Sequence, residues 1–190
     1  MRTTSFIIFI SVCIIAFSCI QGNRSVQQDS WKDEFKNSLD MLGHRNWILV
    51  VDKAFPEQSS PGMRYIYVEE ELLPVLKFVL DEIDASTHVS PVIYRDMELS
   101  YIIGEQVPGI NDFMAESKKV LAERDVQTLL HDEVFRLLDQ SSALFRVLVI
   151  KTRCTLPYTS VFIQLDCAYW NPQQEEELRT NIPHPTFNTR

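Results

Sequence analysis

Two ionisable side chains bracket one apolar run: His44 stands before Trp47-Ile48-Leu49-Val50-Val51, and Asp52 follows it. Histidine is the side chain whose unperturbed pKa lets it exchange protons near neutral pH, and a carboxylate accepts hydrogen bonds from hydroxyls or N–H groups. A proton-exchanging group and an acceptor at the ends of a strand are what an α/β fold uses for chemistry, because such folds carry their sites on strand ends and the loops beyond. Each has a plainer alternative. His44 follows Gly43, where a helix would stop, so it could be a capping or surface residue; Asp52 could cap the strand-to-loop turn through local N–H groups.

The elements that position these residues follow from periodicity. Apolar residues at 31, 35, 39 and 42 predict an amphipathic helix that delivers His44. The continuous run 47–51 suits a strand covered on both faces. Pro61-Gly62 marks a loop, and Tyr65 to Val68 reads as a strand. Glu69-Glu70-Glu71 with Pro74 makes a helix entrance, since carboxylates suit the positive end of the helix dipole and proline is tolerated in the first turn. Leu72 to Ile83 supplies the apolar face of that helix. Further strands are expected at 89–94, 145–150 and 158–165, and further helices at 110–121 and 129–138. Alternating strands and helices predict a single α/β domain over residues 31–170 with a mainly parallel sheet flanked by helices, followed by an irregular tail, 171–190.

Bulk properties exclude some classes. The chain has 190 residues, 45% of them hydrophobic and 11% aromatic, enough for a sizeable core. Net charge is -8 and no Lys/Arg cluster occurs, so nucleic-acid backbones find no electrostatic grip. The apolar run Phe6 to Phe17 behind Arg2 is too short to span a bilayer and suits an export signal. Ala16-Phe17-Ser18-Cys19 resembles a bacterial lipoprotein signal, so residues 1–19 are expected to be cleaved or processed, Cys19 lipidated, and 20–30 a tether. The alternative is an ordinary secretory signal in which Cys19 is incidental. An exported location on the periplasmic or cell-surface side, anchored in the membrane by lipid, is the expectation. Cys154 and Cys167 are then the two cysteines of the folded body, to be paired or free. The histidines at 44, 88, 131 and 184 form no zinc-type spacing; His88 and His184 read as surface residues.

With these landmarks placed, the sequence from about Leu39 to Leu165 resembles the ribose pyranase and fucose mutarotase family, the RbsD/FucU group. Three blocks carry the resemblance: Leu42-Gly43-His44 with Asp52-Lys53-Ala54-Phe55-Pro56, then His131-Asp132-Glu133-Val134-Phe135, then Val149-Ile150-Lys151-Thr152 leading to Pro157-Tyr158-Thr159-Ser160-Val161. The resemblance implies interconversion of monosaccharide ring forms or anomers, of a sugar such as ribose or fucose, without a cofactor or a metal, in homo-oligomers with sites close to subunit contacts. It implies His44 as the catalytic residue and Asp52, His131, Tyr158 and Ser160 as sugar-binding residues. Opening a hemiacetal ring removes a proton from the anomeric hydroxyl and gives one to the ring oxygen, which is general acid–base work.

Four positions depart from the family pattern: Asn46 replaces an acidic residue near the histidine, Ser160 replaces an amide, and Arg153-Cys154 replaces Gly-Glu. These departures leave a second reading open, a non-catalytic carbohydrate-binding lipoprotein on the same scaffold. A straight strand of eight residues would put His44 and Asp52 as much as ~26 Å apart. Both line one pocket only if the chain curls at Arg45-Asn46 or a neighbouring subunit returns one of them, and the curl is the expectation.

Overall fold

A computed structural model of the protein describes residues 30–182. The export signal 1–19 with Cys19, residues 20–29 of the tether, and His184 lie outside the described residues.

The apolar run 47–51 forms strand β1 (Trp47–Val51), every residue of it buried. It lies between β5 (Val147–Lys151) and β6 (Val161–Cys167), and its sequence does not alternate because both of its faces are covered, Ile48 and Val50 in one core cluster and Trp47, Leu49 and Val51 in the other. With β2 (Met63–Tyr67), β3 (Val89–Asp96) and β4 (Val126–Leu129) these make a six-stranded sheet in the order β2-β5-β1-β6-β3-β4. β1 pairs in parallel with β5, β5 with β2, and β3 with β4, while β6 runs antiparallel to both of its neighbours. The sheet is thus mainly parallel, as expected, with one central strand reversed.

Helix α1 (30–39) and helices α2 (Leu72–Ala85) and α3 (Ile110–Val120) cover one face. Their apolar residues pack on Ile48, Val50, Ile93, Ile150 and Ile163. Each fully buried Leu, Ile or Val side chain there contributes about 1.5–3 kcal/mol relative to an exposed one. Helix α4 (His131–Ser142) covers the other face, setting Val134 and Leu138 on Trp47, Leu49, Val51, Val149 and Phe162. Gly62 lets the chain turn into β2 against the end of α4: a Cβ there would lie 2.2 Å from the Phe145 carbonyl oxygen and 2.3 Å from that of Ser142. Its backbone bonds both to Ser142 and to Val147.

Several expectations are corrected. β4, four residues at the sheet edge, had no strand signal because Gln127 and Thr128 face solvent and the segment is too short to show a period. The tail is not irregular throughout, since Pro172–Asn181 forms helix α5. Asn171 caps it, accepting from the Gln174 N–H at 2.9 Å with proline in its first turn. No α5 residue is buried, so local signals alone hold it. His88 is not a free surface residue: its Nε2 donates to the carbonyls of Leu39 (3.2 Å) and Leu42 (3.0 Å), at and just past the end of α1. The acidic triplet is engaged residue by residue, Glu69 by the Tyr67 hydroxyl, Glu70 by the Trp31 indole N–H and Glu71 by Arg153.

Candidate functional site

The reversed strand β6 creates the site. Parallel strands β1, β3 and β4 all end at one edge of the sheet, and β6, running the other way, begins there. Residues just after β1, β3 and β4 therefore meet residues just before β6, in the crevice outside the carboxyl ends of the strands where α/β folds place ligands.

Asp52 leaves β1 and meets Ser160 entering β6. The Ser160 hydroxyl donates to Asp52 Oδ2 at 2.9 Å and accepts from the Asp52 backbone N–H at 3.2 Å. Asp52 Oδ1 accepts from the Ala54 N–H at 2.8 Å, which closes the turn after the strand. The capping alternative for Asp52 is therefore real, and it fixes the carboxylate's direction at the same time.

His131, the first residue of α4, follows β4. Its N–H is held by both carboxylate oxygens of Glu98, at 3.0 and 3.1 Å, from the 3₁₀ turn Met97–Tyr101. The position before it is Leu130, which offers no capping oxygen, so Glu98 satisfies an N–H that the local sequence leaves open. The imidazole packs against Phe135 with centroids 4.6 Å apart and planes tilted by 48°, and Tyr158 meets it edge-on at 5.4 Å and 86°. Phe55 lies 5.5 Å beyond Phe135, completing an aromatic floor.

Tyr158 sits at φ 56°, left-handed backbone that side-chain-bearing residues adopt at a cost. Its loop is tied down beneath it. The Thr152 hydroxyl donates to the Val51 carbonyl at 2.8 Å, the Thr159 hydroxyl to the Leu156 carbonyl at 2.7 Å, and the Lys53 N–H to the Cys154 carbonyl at 2.7 Å. Thr152 and Thr159 are fully buried.

Beneath His131 lies Asp96, the last residue of β3, which is only 2% exposed. It shares the α4 face with Tyr94, two residues earlier. His131 Nδ1 lies 3.2 Å from Asp96 Oδ2, but the angle is poor, and neither Asp96 oxygen nor Nδ1 has a hydrogen-bond partner. Burial pushes the Asp96 carboxyl up to about 6; the His131 ring draws it down, while Glu98 and Asp52 add to the rise. Sequence reading passed over Asp96 and Glu98. Their signal was slight, two carboxylates just where a strand of half-buried residues stops.

The chain matches no protein-family model and no curated protein. Solved structures of similar outline include RbsD from Bacillus subtilis complexed with D-ribose, at 18% identity and TM-score 0.48 over 67% of this chain and 87% of that one. FucU from Bifidobacterium longum is similar at 13% identity and TM-score 0.46, over 70% of this chain and 92% of that one. The fucose mutarotase from Streptococcus pneumoniae in complex with L-fucose is similar at 15% identity and TM-score 0.43, over 67% and 87%.

Four of the five candidate residues, Asp52, His131, Tyr158 and Ser160, share the carboxyl edge. His44 does not. The chain does turn at Arg45, φ 73°, but the turn carries His44 to the end of β6, where its Nε2 lies 3.6 Å from Asp166 Oδ1. The Arg45 N–H donates to the Leu165 carbonyl and the Leu165 N–H to that of Asn46, fixing the turn at the opposite edge. Four strand steps of about 3.3 Å separate the ends of β1 alone, and His44 and Asp52 stand beyond them. The expected curl into one pocket is thus corrected: within one chain the two side chains do not meet. Asn46, whose Oδ1 accepts from the Gly43 N–H at 2.7 Å, closes this turn, and the carboxylate beside His44 comes from β6 instead.

Cys154 and Cys167 are both free thiols. β6 runs its whole length between them, a span no disulfide bridges.

Proposed function

We propose that the chain is a monosaccharide mutarotase or pyranase, an isomerase that opens and recloses the ring of a sugar such as ribose or fucose by general acid–base chemistry. The single observation that supports it is the convergence of Asp52, Ser160, Tyr158 and His131, drawn from three separate sequence blocks, on one sheet edge. A pyranose presents apolar C–H faces and a rim of hydroxyls. Tyr158, 38% exposed, offers a ring for the first and a hydroxyl for the second, and Asp52, its carboxylate oriented by the Ser160 hydroxyl, offers an acceptor.

In this reading His44 reaches the sugar from a second copy of the chain, so the working form is a homo-oligomer with sites between subunits. Saturation-transfer NMR on ribose and fucose tests both parts. The protein is expected to speed anomer exchange, and His44→Ala and Asp52→Ala are each expected to abolish it. Mixing the two inactive variants restores exchange if one copy lends His44 to another, while no restoration on mixing rejects the composite site. No acceleration by the wild type rejects the isomerase.

A second reading, a carbohydrate-binding lipoprotein without turnover, is favoured by the engagement of both Asp52 oxygens within the chain. Calorimetry showing sugar binding without exchange would select it. For either reading we propose export and anchoring through Cys19. Palmitate labelling lost in Cys19→Ser is the expected result, and labelling that persists refutes the anchor.

A further inference from the structure

Among the described residues, Asp96 is a buried carboxylate with no hydrogen-bond partner for either oxygen. A carboxylate 2% exposed with neither oxygen hydrogen-bonded is costly, and such a group persists where it serves a neighbour. Its neighbour is the ring of His131, at 3.2 Å. The two are held from separate directions: Asp96 by the β3 backbone, and His131 by Glu98 at its N–H, Phe135 under its face and Tyr158 at its edge. Nδ1 is shut off from solvent, whereas 39% of the side chain remains exposed, so the ring opens towards the crevice on its Nε2 side.

We propose that Asp96 is a positioning residue that keeps the His131 proton on Nδ1, so that Nε2 is the free base facing the sugar. This deepens the mutarotase reading and rests on it, and it gives His131 a proton-transfer role beyond holding hydroxyls. The step balances within the sugar. Nε2 takes the anomeric hydroxyl's proton, the C–O bond to the ring oxygen breaks with its electron pair going to that oxygen, the aldehyde C=O forms, and the ring oxygen takes that proton back from Nε2–H through His44 of the partner subunit. Reclosure on the other carbonyl face runs the same events in reverse.

Imidazole ¹⁵N NMR at pH 8 reads the tautomer without any sugar. The wild type is expected to show His131 as Nδ1–H, and Asp96→Asn, whose amide can donate to Nδ1, to show a mixed or reversed tautomer. An Nε2–H wild type, or a tautomer unmoved in Asp96→Asn, overturns the proposal, and the wild-type spectrum decides by itself if the variant does not fold. Anomer exchange supplies the second arm. Asp96→Asn is expected to lower kcat at least ~10-fold with KM unchanged. Exchange unaffected by Asp96→Asn overturns the proposal, while an inactive wild type with the Nδ1–H tautomer rejects the isomerase and leaves the Asp96 to His131 pairing standing.

Discussion

The two ends of the sheet carry the same pair of residue types and treat them oppositely. At the carboxyl edge a histidine meets a carboxylate that is 1% exposed; at the other edge His44 meets Asp166 with side-chain exposures of 56% and 45%. In the first pair the protein has displaced water and raised the carboxyl to about 6. In the second, solvent screens the interaction, and such exposed pairs contribute about 0–1 kcal/mol. Shared residue types therefore do not make shared chemistry; the depth of the carboxylate does.

The contrast breaks most sharply at Asp96. Its folded carboxyl pKa lies above the ordinary 3.8, so its contribution to stability is full below that value and is lost as pH rises through about 6. The groups facing it are His131 from α4, Glu98 from the 3₁₀ turn and Asp52 after β1. Asp96→Asn is accordingly expected to melt above the wild type at pH 8, by no more than about 3 kcal/mol in stability at ~1.4 kcal/mol per pKa unit, and to match it near pH 3.5. Thermal melts across that range check it; equal melting at both pH values would refute the buried charge.

Asp52→Ala comes next. It leaves the Ser160 hydroxyl, in a residue 2% exposed, and the Ala54 N–H without their acceptor, for an expected loss of about 2 kcal/mol in urea titration. Arg45→Gly acts at the far edge, where φ 73° suits glycine, and is expected to gain about 0.5–1 kcal/mol by the same measurement despite the lost stacking of Arg45 on Phe145. Smallest is His44→Ala, expected within about 0.5 kcal/mol of wild type. A stability loss above 1 kcal/mol would show that the exposed pair matters structurally and would blur the contrast between the edges.

Local chemistry made most of the fold legible. Residues 31, 35 and 39 of the first helix with Leu42 just past its end, the α2 stripe from Leu72 to Ile83 and the unbroken runs of β1 and β5 are buried where their period put them. β4 was not legible, because four residues with two facing solvent carry no period. α5 was misread because its helix signal lies in capping by Asn171 and Gln174, with no apolar face behind it.

By itself, the sequence determined which residues are able to do chemistry and which segments fold into strands and helices, since both depend on side-chain type and short-range spacing. Which of those residues work together was decided by tertiary structure alone. The antiparallel insertion of β6 between β1 and β3 brings Ser160 to Asp52 and sends His44 to Asp166. Strand direction within a sheet is set by long-range pairing, to which no local pattern along the chain is sensitive. The burial of Asp96 is a tertiary result as well: a carboxylate's pKa follows from what packs over it, and His131 and Asp52 reach it from elsewhere in the chain.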